Sequence, residues 1–486
     1  MRQHLKELVG GSLIYGLSGM VSSAIMIFLV PVYTRLFSPA EYGVLNLVNT
    51  SYVLLTLLVI FGLDNSAALW YWDTEDEGDR KRTFASWAYF SLGLSSLISI
   101  VILIGAERLS AFFLDDPVYA PLLRLMAGSL VFASGQKVLN IWFRVRKKPF
   151  WAMTAALTTS LPTVGLSVYF VVWLRYGLAG VYLAQFIASI LGFILAAILL
   201  RGLISPTHID LKRLRQMLSF AAPLVPAALS FWAMNSAGSF FIQYYVDKTE
   251  VGLYQLGLNM SAFVSLLITA FLQAWTPFAF SIAKTEGHRR IYANIYFLYI
   301  LWGGLATVGV FLFAPEVLSI VAPPAFAGAA FVAGLLTVNV IVLNIPQIVA
   351  IGCALVKTNK PYSKAVIIGS LLSVAMFVIL IPSLGKEGAV LATLIGNLFV
   401  WGYVHYKAQR LYPVPYEMKR TAAVVAATAL LSFLGLMAAH GPAAFALKCG
   451  IFVIGVVVVA WQTYKYAWQF SDDGLTTRLA GSETFS

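Results

Sequence analysis

The segment Glu41-Tyr42-Gly43-Val44-Leu45-Asn46-Leu47 returns 209 residues later as Glu250-Val251-Gly252-Leu253-Tyr254-Gln255-Leu256, each time after a long apolar stretch ending in aromatic and polar residues. Two further echoes keep a similar offset. Lys147-Lys148-Pro149-Phe150 recurs as Asn359-Lys360-Pro361-Tyr362, and Gly177-Leu178-Ala179-Gly180 as Gly385-Lys386-Glu387-Gly388. A chain that repeats itself at this period is built from two copies of one bundle, and six apolar spans fit into each copy.

Hydrophobic residues make up 60% of the chain and charged residues only 11%, against about a quarter charged in globular proteins. A soluble fold is excluded. A hydrocarbon core about 30 Å thick takes roughly 20 apolar residues per helix. Runs of that length fall at 9–34, 42–69, 84–105, 121–143, 150–174, 178–200, 217–246, 252–281, 293–314, 328–353, 362–383, 388–409, 420–439 and 444–465. The expected fold class is an all-α polytopic membrane protein of about 14 transmembrane helices, two parallel six-helix repeats plus two extra helices. No cleavable signal is expected, because Met1 to Glu7 lead into an apolar stretch too long for one. Cys353 and Cys449 both lie in apolar runs and read as packing residues rather than a disulfide.

Lys and Arg orient the spans, since short loops that keep their cations inside record the membrane potential. Of the 33, 25 fall on one side, including Arg80 to Arg82, Arg144 to Lys148 and Lys212 to Arg215. Six fall on the other: Arg35, Arg108, Arg175, Lys248, Lys386 and Lys448. Both termini are therefore expected in the cytoplasm. The division expected is a lobe over 1–200, a cytoplasmic linker with an interfacial helix over 201–216, a second lobe over 217–411, extra helices 13 and 14 over 412–467, and a cytoplasmic tail over 468–486. Ile209, Leu214 and Leu218 give the linker an apolar face against Lys212, Arg213 and Arg215. Trp70, Tyr71, Trp72, Trp142, Trp401 and Tyr464 fall where an interfacial aromatic belt is expected. The net charge of +12 sits in these loops, so no nucleic-acid partner is expected. All loops on the sparsely charged side are short, which leaves no room there for a catalytic domain.

Thr34-Arg35-Leu36-Phe37-Ser38-Pro39-Ala40-Glu41-Tyr42-Gly43 resembles the first outer hairpin of polysaccharide and O-antigen flippases in the multidrug/oligosaccharidyl-lipid/polysaccharide exporter superfamily. Phe61-Gly62-Leu63-Asp64, the Lys148-Pro149 step and the six-plus-six-plus-two plan are similar too, so the resemblance runs over essentially the whole chain. It implies alternating-access transport of an undecaprenyl-diphosphate-linked oligosaccharide or polysaccharide repeat unit from the inner to the outer leaflet of a bacterial or archaeal plasma membrane. Its partners would be that lipid-linked glycan, membrane lipids and glycan-assembly proteins. It also implies a cationic cavity between lobes for the headgroup and a groove near helices 13 and 14 for the prenyl tail.

A diphosphate needs cationic donors inside the bilayer, where a Lys or Arg costs about 2.5–3.5 kcal/mol. Lys137, Asn140 and Arg144 share one stripe of the fourth span, with Lys137 seven residues from Arg144, or about 10 Å along the helix. They form a ladder for phosphate, unless Lys137 simply snorkels to the headgroups. Arg35 is either an exit-side phosphate contact or an anchor pairing Glu41. Arg124 reads as a surface anchor near Asp115 and Asp116, and Asp64 as a capping or ion-pairing group. The second half offers amides instead: Asn235, Gln243, Asn259, Gln273, Asn339, Asn344 and Gln347. Amides suit sugar hydroxyls as cations suit phosphate; alternatively they join helices. Pro223 and Pro226 are the candidate hinge between lobes.

Two other functions compete. A multidrug or organic-cation antiporter of the same superfamily would want a buried carboxylate, and the acidic residues here lie near span ends. A membrane glycan polymerase or ligase would want a catalytic outer loop, which the chain lacks. His4, His208, His288, His405 and His440 are scattered, and no nucleotide-binding Gly-x-x-x-x-Gly-Lys-Ser/Thr loop occurs. No metal, cofactor or catalytic residue is expected.

Overall fold

Where hydrocarbon replaces water, each backbone N–H must find its acceptor within its own segment, so long helices dominate. The computed structural model describes residues 28–356, 358, 360–437 and 442–472, and no strand occurs among them. In chain order the helices are α1 Val30–Leu36, α2 Pro39–Ile60, α3 Leu63–Asp73, α4 Glu77–Leu114, α5 Ala120–Val145, α6 Pro149–Val168, α7 Gly177–Leu200, α8 Leu211–Ala221, α9 Leu224–Ser236 and α10 Gly238–Tyr245. They continue with α11 Lys248–Ser281, α12 His288–Val321, α13 Ala329–Val349, α14 Ile351–Leu355, α15 Lys360–Leu411, α16 Met418–Met437 and α17 Pro442–Asp472.

Among the described residues eleven helices, several joined across short breaks, are long and apolar enough to cross a membrane, or twelve if the bent pair α8 and α9 is one span. The 52-residue α15 contains a non-helical Gly385, where the sequence places a turn between two spans. The first expected span, 9–34, lies mostly outside the described residues, as do Arg2, Lys6, His4, Lys357, Asn359, His440 and 473–486. Both cysteines are free.

The duplication reaches the backbone. Gly177 and Gly385, equivalent in the repeat, both adopt φ of +55°. The segments 41–47 and 250–256 lie in the opening turns of α2 and α11. α2 starts on a capping box: Ser38 Oγ accepts from Glu41 N, and the Glu41 carboxylate accepts from Ser38 N at 2.8 Å.

The described residues fall into two compact units, one holding those up to Leu256 with 321–326 and 370–393, the other those of 257–320, 327–369 and from Leu394 on. In the first unit the two repeat motifs touch each other. A Cβ added at Gly43 would fall far inside contact with the Lys248 carbonyl oxygen, and one at Gly252 would meet the Pro39 carbonyl oxygen in the same way. Pro39 and Lys248 are themselves 209 apart, so the contact is reciprocal. Asn46 Nδ2 donates to Gln255 Oε1 one turn on, again between equivalent positions. Only glycine permits this approach of backbones. Beside it, Lys386 Nζ binds the Glu250 carboxylate at 2.9 Å and Glu387 at 3.3 Å.

The first unit also has an aromatic core of Phe84, Trp87, Trp142 and Tyr71 with Leu63, Leu139 and Met217. Phe84 and Trp142 meet edge to face at 4.9 Å. Tyr71 and Trp142 therefore belong to the core rather than to an interfacial belt, while Trp72 and Tyr464 are exposed. The linker helix α8 is fixed to this core. Leu214, Met217, Leu218 and Ala221 pack on it, Asp210 N donates to Ser86 Oγ at 2.9 Å, and Arg213 pairs with Asp79. A 49° bend at Pro223 separates it from α9, and the two helices together are long and apolar enough for one broken span.

In the second unit Trp275, Tyr292, Tyr296, Tyr299 and Ile345 lead the core. α17 is held to α12 by Lys448 and Glu316 at 2.7 Å, with Lys448 buried.

Replacing Gly43 by Val should force the α2–α11 crossing apart and destabilise the protein by about 1–3 kcal/mol. Cysteines at Asn46 and Gln255 should crosslink on oxidation in an otherwise wild-type chain. With Gly43→Val added, gel-shift analysis should show that crosslink strongly reduced.

Candidate functional site

Cation and cavity come together on α5. The helix buries Gln136, Val138, Leu139, Trp142 and Phe143 and turns Lys137, Asn140 and Arg144 the other way, Lys137 and Arg144 exposed and Asn140 half-buried. Lys137 lines a small cavity of about 10 Å³ with Ser134 and Leu130 of the same helix, Trp87 and Ser91 of α4, and Thr56, Val59 and Ile60 of α2. No acidic side chain lines it. Thr56 and Ile60 also line a second cavity of about 350 Å³, walled further by Val53, Leu57, Gly62, Asp64, Asn65 and by Leu224, Val225 and Ala228 of α9.

The break between α2 and α3 shapes this larger space. Phe61 and Gly62 both take left-handed dihedrals, φ of 51° and 69°, which ends α2 and restarts the chain as α3. Asp64 is the second residue after the break. Its Oδ1 accepts from Asn65 N at 2.9 Å and Asn65 Nδ2 at 3.3 Å, and it makes no ion pair among the described residues within 4.0 Å. Of the capping or ion-pairing role expected for Asp64, no ion pair occurs among the described residues, and the carboxylate stands in the first turn of α3.

The other candidates are dispersed. Arg35 is exposed in the last turn of α1. Glu41, its expected partner, is engaged by the α2 capping box. Arg124 pairs with Glu107 at 3.1 Å rather than with Asp115 or Asp116. Asn235 Nδ2 donates to the Phe231 carbonyl of its own helix at 2.9 Å. Gln243 is buried and donates to Asp115 Oδ2. Asn344 donates to Val340 O at 2.8 Å and accepts from Gln347 Nε2 at 2.9 Å, bringing those two together. Asn259 is half-buried and Gln273 exposed on α11. Asn339 accepts from Asn397 Nδ2 at 2.8 Å, both buried within the second unit. Asn235 and Gln243 belong to the first unit, and Asn259, Gln273, Asn344 and Gln347 to the second.

Another cavity, of about 530 Å³, lies in the second unit among Gly287 to Arg290 and Pro413 to Pro415. Its basic residues are already occupied in part: His288 Nε2 meets Tyr412 Oη, and the Arg289 guanidinium lies 4.6 Å from the Tyr412 ring.

Sequence reasoning missed Thr56, Trp87 and Ser91. Trp87, Ser91, Ser95 and Ser99 recur every fourth residue of α4 and are all buried; that spacing was the available signal.

A profile described as Polysaccharide biosynthesis protein matches residues 8–283, more than half of the chain. The chain belongs to this family. The chain also shares its fold with solved transporters. A structure titled lipid II flippase MurJ in an inward closed conformation aligns with a TM-score of 0.76 at 14% identity, covering 94% of this chain and 99% of that one. An inward-facing multidrug resistance MATE family transporter of the MOP superfamily gives 0.65 at 15% identity over 85% and 96%. A MOP superfamily transporter from Pyrococcus furiosus, whose title reports reverse polarity of its binding pocket, gives 0.59 at 16% identity over 86% and 96%. Curated proteins give no significant match.

The amide pair Asn339–Asn397 behaves chemically as a helix clamp. Asn397→Leu should strand the Asn339 amide and lower stability by about 1–3 kcal/mol, whereas Asn339→Leu with Asn397→Leu should recover most of that loss. Thermal unfolding in detergent checks both, and equal destabilisation by the double variant would refute the clamp.

Proposed function

We propose that the chain moves a lipid-diphosphate-linked oligosaccharide or polysaccharide repeat unit across the plasma membrane, from the inner to the outer leaflet, by alternating access. One observation carries this reading: Lys137 lines a cavity that no acidic side chain enters, with Asn140 and Arg144 along the same face of α5. An ammonium that lines a cavity with no acidic side chain suits an anionic cargo. Family membership in polysaccharide biosynthesis and a flippase among the structures of similar fold support it.

In this reading Arg144, Asn140 and Lys137 pass the diphosphate inward from the cytoplasmic surface. Arg35 waits at the far side, and Asn235, Gln243, Asn259, Gln273, Asn344 and Gln347 serve sugar hydroxyls whenever their present partners release them. The reciprocal Gly43–Gly252 contact lies at the end that charge asymmetry assigns to the outside, and acts as the closed outer gate. The 49° bend at Pro223 is the hinge. Outward movement of an anion runs with an inside-negative potential, which contributes about 2.3 kcal/mol per charge per 100 mV. No catalytic residue takes part.

Asp64 favours a second reading, cation antiport, because a carboxylate without an ion-pairing partner lines the larger cavity. The two are separable. Deleting the gene should leave a prenyl-linked glycan on the cytoplasmic leaflet, identified by mass spectrometry. Complementation with Lys137→Ala or Lys137→Gln should restore membrane insertion but lower glycan export about tenfold, and Asp64→Asn should restore export. Absence of any retained prenyl-linked glycan would sink the flippase reading. Loss of drug resistance on Asp64→Asn, with glycan export intact in the deletion strain, would establish the antiporter.

A further inference from the structure

Two buried donors beside Lys137 have nothing to bind. Trp87 Nε1 and Ser91 Oγ make no hydrogen bond in the structure, although Trp87 is 1% and Ser91 3% exposed. Both residues line the same 10 Å³ cavity as Lys137. They stand four residues apart on α4, hence on one face. An unsatisfied buried N–H or O–H is costly, and native proteins rarely leave two in one place without a ligand or water.

The lining defines what would satisfy them. The indole N–H and the ammonium can only donate, and Ser91 can donate as well. Ser134 Oγ already gives its proton to Val131 O at 2.7 Å, and no carboxylate is present. The space fits one water-sized atom. A donor-rich pocket of that size selects a single anionic oxygen. Thr56 and Ile60, shared with the 350 Å³ cavity, place the pocket next to a space large enough for the rest of a phosphate group.

We propose that Trp87 Nε1, Ser91 Oγ and Lys137 Nζ form an oxyanion pocket that takes one non-bridging oxygen of a phosphate group. The identification of that phosphate with the cargo's diphosphate rests on the flippase reading; the pocket itself does not. It makes α4 and α5 jointly responsible for the headgroup, with Trp87 and Ser91 as ligand-binding residues and Lys137 supplying the charge.

The test uses the purified full chain in nanodiscs, with ¹⁵N-labelled tryptophan and two probes, undecaprenyl diphosphate and inorganic diphosphate. The Trp87 indole resonance is assigned by its loss in Trp87→Phe. It should shift on adding undecaprenyl diphosphate, and Ser91→Ala and Trp87→Phe should each weaken binding about tenfold. Ser91→Ala removes one oxygen from a buried helix face, so it reports on the pocket even if Trp87→Phe fails to fold. A shift with inorganic diphosphate but no binding of the lipid form would keep the pocket and defeat the lipid-linked cargo. Tight lipid binding with the Trp87 resonance unmoved and Ser91→Ala unchanged would overturn the pocket while leaving the flippase reading intact. No shift with either probe means that the cavity holds a resident water only, and the proposal fails.

Discussion

Hydrocarbon offers backbone groups no hydrogen bonds, and that constraint explains where this chain departs from helix. Among the described residues three interruptions show where the chain leaves regular helix. Phe61 and Gly62 turn left-handed beside a cavity. Tyr169–Trp173 widens into a π turn just before Gly177. The bend before Leu224 follows a helix whose Arg213 is paired with Asp79 of α4. Helix is the default state of this chain, and its exceptions mark the positions where packing or cavity compensates for lost ladder bonds.

The same economy governs side chains. Most polar groups in the spans are spent locally. Thr34, Thr307, Thr337 and Thr393 return their hydroxyls to the carbonyl four residues back, and Asn235 and Asn344 do the same with their amides. Asn339 and Asn397 pair, as do Lys448 and Glu316. Some buried groups find no such partner, Trp275 Nε1 and Trp401 Nε1 among them, and at Trp87 and Ser91 two of these line one cavity together with Lys137.

How far the sequence led can be followed residue by residue. The duplication was legible because a seven-residue segment repeats with its apolar pattern intact, and the shared positive φ of Gly177 and Gly385 carries it into the backbone. That the two copies touch each other through Gly43 and Gly252 was not legible, since a pairwise tertiary contact leaves no mark on either copy alone. Lys137 was found because a charge inside an apolar run is conspicuous. Trp87 and Ser91 were overlooked because tryptophan and serine are ordinary in membrane helices, and a missing partner is visible only in three dimensions. Trp142 and Tyr71 looked interfacial from their positions near span ends; the aromatic cluster that buries them brings α3, α4 and α5 together and has no signature in any single helix.

The reciprocal meeting of Pro39, Gly43 and Asn46 with Lys248, Gly252 and Gln255 has a mechanical corollary. Each copy supplies what the other receives, as in a homodimer fused into one polypeptide. The two halves of the clasp are one close approach of two helices, so a displacement that opens the contact at Gly43 opens the one at Gly252 as well.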